Sequence, residues 1–131
     1  MSIADSFLAH VRFLKQDEGG RRRSPRNPAV SQLSVPPIQT SCYLVALDPQ
    51  ELPLDDPDAI PLGKTVLVRV VAWDAVHYQA EFEHLGPEIE FFEGARRVAR
   101  GRMIDGRKLE PTPETVEAFL QASLKEGFGQ E

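Results

Sequence analysis

The chain has 131 residues, 41% of them hydrophobic and 8% aromatic, with one cysteine and a net charge of -5. These numbers suit one soluble domain over residues 1–131 with a modest core. They exclude an intramolecular disulfide and argue against a protein that coats nucleic acid. The charge is uneven, however. Arg21, Arg22, Arg23 and Arg26 cluster together, as do Arg96, Arg97, Arg100 and Arg102, while acids gather in 51–58 and 81–93.

In chain order, the N-terminus MSIADSFLAH has no basic, apolar leader. Phe7, Ala9, Val11 and Phe13 alternate with Leu8, His10, Arg12 and Leu14, the period-two pattern of a strand, which ends in a Gly19–Gly20 turn. The segment 24–37 holds four prolines and reads as an irregular connection. TSCYLVAL (40–47) is a strand, 49–61 an acidic loop rich in proline, and KTVLVRVVA (64–72) the strongest strand. Its apolar run from Val66 to Trp73 is interrupted by Arg69 and is too short for a membrane span. A cytoplasmic protein without a membrane partner is therefore expected.

Further strands are expected at 76–82, 88–92 and 96–103, with Glu93–Gly94–Ala95 as a hairpin turn. Only the tail, 111–127, reads as helix. Thr112 or Thr115 supplies a cap, Pro113 the first turn, Gly127 a stop, and Val116, Phe119, Leu120 and Leu124 an apolar face. Short strands followed by one helix indicate an all-β antiparallel barrel or sandwich, with the helix docked by Val116, Phe119 and Leu120.

The chemistry-bearing residues give no catalytic constellation. Gly63–Lys64–Thr65 ends like a phosphate loop, but Asp58 stands where that loop needs glycine and a strand follows, so no nucleotide is expected. His10, His77 and His84 lack the spacing of metal ligands. Glu81/Glu83 and Glu88/Glu90 share strand faces at period two and read as solvated carboxylates. Cys42, among apolar neighbours, reads as a small core residue. Neither enzyme activity nor a cofactor is expected. The arginines are the candidate binding residues: Arg21, Arg22, Arg23, Arg26, Arg96, Arg97 and Arg100, whose guanidinium forks suit phosphate. No aromatics interleave with them to stack single-stranded bases.

Three blocks resemble the third, C-terminal β-barrel domain of translation elongation factor Tu and its GTPase relatives. FLAHVRFLKQDEGGR (7–21) is similar to that domain's opening strand and Glu-Gly-Gly-Arg turn. LGKTVLVRV (62–70) is similar to its turn and following strand, and GPEIEFFEGARRVARGRM (86–103) to its closing hairpin. The resemblance implies a six-stranded antiparallel Greek-key barrel over 7–104, with a short C-terminal helix as an addition. Gly19, Gly20, Gly63, Gly94 and Gly101 would be its structural turn and close-approach positions. The GTPase domain and second barrel are absent from these 131 residues, and Phe92, Ala95, Ala99 and Lys64 depart from the family pattern. The implied role is a translation-factor-like, non-enzymatic binding module with a protein partner. RNA binding of the tRNA kind, through Arg21, Arg22, Arg23, Arg26 and the closing-strand arginines, is the alternative.

Overall fold

The computed structural model describes residues 5–56, 60–104 and 109–125. Its strands are β1 (Asp5–Phe13), β2 (Ala29–Val35), β3 (Ile38–Ala46), β4 (Thr65–Ala72), β5 (Glu88–Glu93), β6 (Arg96–Met103) and the two-residue β7 (Glu110–Pro111). Two helices join them, the single-turn α1 (Gln79–Glu83) and α2 (Glu114–Lys125). Six strands close an antiparallel barrel in the order β1–β4–β3–β2–β5–β6, with β6 returning to β1. The short β7 continues the β6 edge of β1 by pairing with Asp5 and Ser6.

Alternation explains the interior. Phe7, Ala9, Val11 and Phe13 of β1 point inward to Leu33, Leu44, Val68, Val70 and Phe91, all buried. Gly101 of β6 belongs to this packing, since a Cβ there would stand 2.8 Å from Val11 Cγ2 and 3.0 Å from the His10 carbonyl oxygen. β3 and β4 do not alternate, because their outer faces are covered too. Val116 and Leu120 of α2 are buried against Tyr43, Val45, Leu47 and Val71, with Leu8, Leu67 and Phe119 at the margin. The near-continuous apolar runs of these two strands thus serve two layers.

Arg69 lies on that covered outer face, 3% exposed. Its guanidinium donates to Ser6 Oγ on β1 at 3.3 Å and to Glu110 on β7 at 2.5 Å. It also approaches Glu51 of the β3–β4 loop at 3.7 Å, while its Nε has no partner. One buried cation therefore ties the C-terminal segment to the barrel wall.

Three expectations need correction. Segment 24–37 is not irregular throughout, since it contains β2. Its prolines flank the strand at Pro25, Pro28, Pro36 and Pro37 and leave the ladder from Ala29 to Val35 intact. Segment 76–82 is not a strand but a turn leading into α1. The buried residues Ala75, Phe82 and Leu85 in and beside it, with half-buried Tyr78, fall at helical spacing, and Phe82 meets Phe7 in the core at 5.8 Å between ring centroids. At α2, neither threonine is the cap. Thr112 Oγ1 is buried without a hydrogen bond, Thr115 lies inside the helix, and Glu117 N–H donates to the Pro113 carbonyl at 3.0 Å. Gly127 and the side chain of Leu124 lie outside the described residues.

Candidate functional site

The two arginine clusters, about 75 residues apart in sequence, meet at one end of the barrel. The chain leaves β1 into a single 3-10 turn, Gln16–Glu18. Glu18 accepts from the Lys15 N–H at 2.9 Å and from Arg12 Nη2 at 2.7 Å. The hydrogen bond from Arg12, followed by that from the Lys15 backbone, holds the Glu18 carboxyl below its ordinary value. Gly19 then takes φ +87°, a conformation that glycine adopts without steric cost. Gly20 is required for a different reason: a Cβ there would sit 2.2 Å from the Leu14 carbonyl oxygen, the same oxygen that accepts from Arg21 N–H at 3.2 Å.

This turn delivers Arg21 to the β5–β6 hairpin, where its guanidinium pairs with Glu93 and its Nε donates to the Arg23 carbonyl at 3.0 Å. Arg22 and Arg96 project into the same region. With Gln16, Gly19 and Gly20 they line an open cleft of about 470 Å3. Neither guanidinium makes an ion pair among the described residues.

The other arginines are disposed differently. Arg97 pairs with Glu90 at 2.8 Å, and Arg102 with Glu88. On the outer face Arg100 stands in register between Arg12 and Glu90. Arg23 and Arg26 are exposed in the β1–β2 connection but do not line the cleft. Of the seven candidate arginines, Arg21 and Arg97 are thus held by internal carboxylates, and Arg22 and Arg96 converge on open space. Glu88 and Glu90 share a strand face, whereas Glu81 and Glu83 belong to α1 and not to a strand.

The remaining residues of interest are scattered. Gly63, at φ +78°, donates its N–H to the Phe13 carbonyl at 2.7 Å and turns the chain into β4, so Lys64 leads directly into a strand that begins at Thr65. Gly94, at φ +62°, makes the β5–β6 turn. His10 faces Arg102 and Leu67 across the ladders, His77 lies edge-on to Tyr78 at 4.7 Å, and His84 follows α1. Among the described residues no group of three or more His, Cys, Asp or Glu side chains could hold a metal ion. Cys42 is fully buried, and desolvation pushes its thiol up to about 12. No helix of the described residues is long and apolar enough to cross a membrane.

One surface escaped the sequence reading. Trp73 and Val76 are 53% and 72% exposed. Trp73 packs on Tyr43 with ring centroids 5.2 Å apart. Tyr43 lies in register between the partly exposed Val30 on β2 and Val71 on β4. Trp73 and Val30 therefore form an apolar strip on either side of a Tyr43 that is itself buried, beside the α2 contact. The available signal was Trp73 itself, a large apolar side chain at the end of a strand whose alternation places it on the outer face with Val71. No family model matches the chain, and no curated protein matches it in sequence.

Proposed function

We propose that the protein is a non-enzymatic binding module of the elongation factor Tu domain 3 kind, and that its partner is a protein. The exposed side chain of Trp73, packed on the buried Tyr43 and followed in sequence by exposed Val76, carries this reading, because exposed aromatic anchors typify protein interfaces. Support for the family type comes from the pairing of Arg21 with Glu93, which joins the first and third of the three blocks that carry the resemblance. A Greek-key path is supported by the strand order: β2, β3 and β4 are successive neighbours and β1 lies beside β4. The test is capture of partners from the native host's extract on immobilised protein. A specific partner should persist at high salt and be lost with Trp73→Ala plus Val76→Ser. A partner set unaffected by that double substitution counts against the strip.

The meeting of Arg22 and Arg96 over one cleft favours RNA as a second reading. Binding of tRNA would then weaken steeply with salt, and each lost phosphate contact would lower the log–log slope by about one. Arg22→Ala with Arg96→Ala should flatten that slope. An unchanged affinity and slope would remove the RNA reading and leave the protein-partner reading standing.

A further inference from the structure

The outer face of the β2–β3 hairpin carries no charge. Ala29, Ser31 and Leu33 of β2 and Thr40, Cys42 and Leu44 of β3 are buried, so alternation sends Val30, Gln32, Ser34, Gln39, Ser41 and Tyr43 to the outside. In register these form the rows Val30↔Tyr43, Gln32↔Ser41 and Ser34↔Gln39. The Trp73 N–H donates to the Ser41 carbonyl at 2.9 Å, which sets Trp73 beside Ser41 on the β4 flank. None of these side chains is ionisable near neutral pH, in a chain that is 27% Asp, Glu, Lys and Arg. Within the sheet, charge begins at the margins. Asp74 follows Trp73, Glu90 lies on β5 beyond β2, and Arg69 is buried under the C-terminal segment.

The face is also unsatisfied. The side chains of Gln32, Ser34, Gln39 and Ser41 have no hydrogen-bond partner among the described residues. Each carboxamide or hydroxyl both donates and accepts. Beside them Trp73 presents a ring that is 53% exposed and rests on Tyr43. Rigid aromatic area next to adaptable neutral hydrogen-bonding groups is the composition of a protein-recognition surface.

These features fit a second copy of the chain. Across a twofold axis the same patch meets itself, and groups near the axis meet their own copies. Any charge there would face its like, which costs several kcal/mol. Neutral groups that donate and accept equally are complementary to themselves. A face built for a different protein is free of that restriction and can use opposite charge. At a net charge of -5 the copies repel elsewhere, so a neutral face is where they approach most easily.

We propose that this face is the isologous contact of a homodimer, with Ser41 near the twofold axis and Trp73 packing against the partner copy. The inference rests on the reading of Trp73 as a protein contact and names that protein as a second copy of this chain. Three strands and three rows span about 14 by 20 Å. That is about 300 Å2 per copy, less than the ~800 Å2 of a standard interface, so the dimer is weak and reversible.

Sedimentation of the intact chain from about 10 to about 500 µM tests this, and the mass should rise toward twice that of one chain. Ser41→Lys and Ser41→Glu each set like charges at the axis and should weaken association at least about tenfold. An equimolar mixture of the two should associate again, because lysine then meets glutamate, and high salt should reverse that rescue. Gln39, exposed on the same strand, can carry the same pair of charges if either Ser41 variant has a lowered urea midpoint. A wild-type chain that stays monomeric throughout, variants that associate like wild type, or a mixture that stays monomeric would overturn the proposal. If the chain is monomeric while Trp73→Ala plus Val76→Ser still abolishes capture of a partner from extract, the homodimer falls and the protein-partner reading stands.

Discussion

Leu120→Ala offers the sharpest test of the two-layer wall. Leu120 is fully buried, yet it sits on the outer side of the barrel between Tyr43, Val45, Val71 and Val116. Truncating a buried leucine costs about 2–5 kcal/mol, depending on how well the site collapses. Here Phe119 is only half-buried and can move into the vacated space, so the lower part of the range applies, about 2–3 kcal/mol. For a chain of this length that loss lowers the melting temperature by roughly 6–12 °C. Urea denaturation followed by the fluorescence of the sole tryptophan, Trp73, reads it directly, because Trp73 rests on Tyr43 of the same wall. The exposed position 118 provides the control, with Ala118→Ser within about 0.5 kcal/mol of wild type. A loss below about 1 kcal/mol for Leu120→Ala would mean that α2 does not bury this face. Deleting 111–131 should destabilise more, since Val116 and Phe119 leave as well.

At Arg69 the two partners of one ion pair should respond unequally. Glu110→Gln leaves a buried guanidinium facing Glu51 alone at 3.7 Å. It should cost about 1–2 kcal/mol, less than a fully buried pair because Glu110 is itself half in water. Arg69→Met removes the buried charge and its unpartnered Nε together, and it should be neutral or stabilising in the same urea assay; the reverse order would refute the account. Gly20→Ala should cost about 2 kcal/mol or more, because its Cβ meets the rigid Leu14 carbonyl. Gly94→Ala has open space and suffers only the left-handed φ, about 1–2 kcal/mol. Cys42 should resist iodoacetamide at pH 8 until the protein unfolds. Its folded value is raised, so the unfolded thiol ionises first, and stability should fall as pH rises from 9.0 toward 12. Cys42→Ala should remove that part of the decline.

The strands were legible wherever one physical signal dominated. β1 reads from strict alternation, and β3 and β4 from density of β-branched residues. β2 was obscured because proline weighs against a strand wherever it appears, although here every proline flanks the ladder. A reading of Ala29, Ser31 and Leu33 as one buried face would have recovered it. At 76–82, β-favouring residue types suggested a strand, but the spacing of Ala75, Tyr78, Phe82 and Leu85 already fitted a helix. The arginines were found by type, and their partners were not, since pairing depends on register and closure: Arg102 meets Glu88 through the register of the β5–β6 hairpin, and Arg21 meets Glu93 only once the barrel has closed.

The position of β1 has a consequence for synthesis. Its partners are residues 65–72, 96–103 and 110–111, so β1 is made before every strand that pairs with it and has no neighbour close in sequence. No local hairpin shelters Phe7, Val11 and Phe13 while the chain grows: one edge of β1 waits for residues 65–72 and the other for 96–103. Such long-range closure is slow in folding terms and leaves an apolar strand open to wrong partners. Nascent chains stalled before residue 96 should therefore be the aggregation-prone species, and His10 and Arg12 are charged or polar interruptions on the face of β1 that remains wet longest.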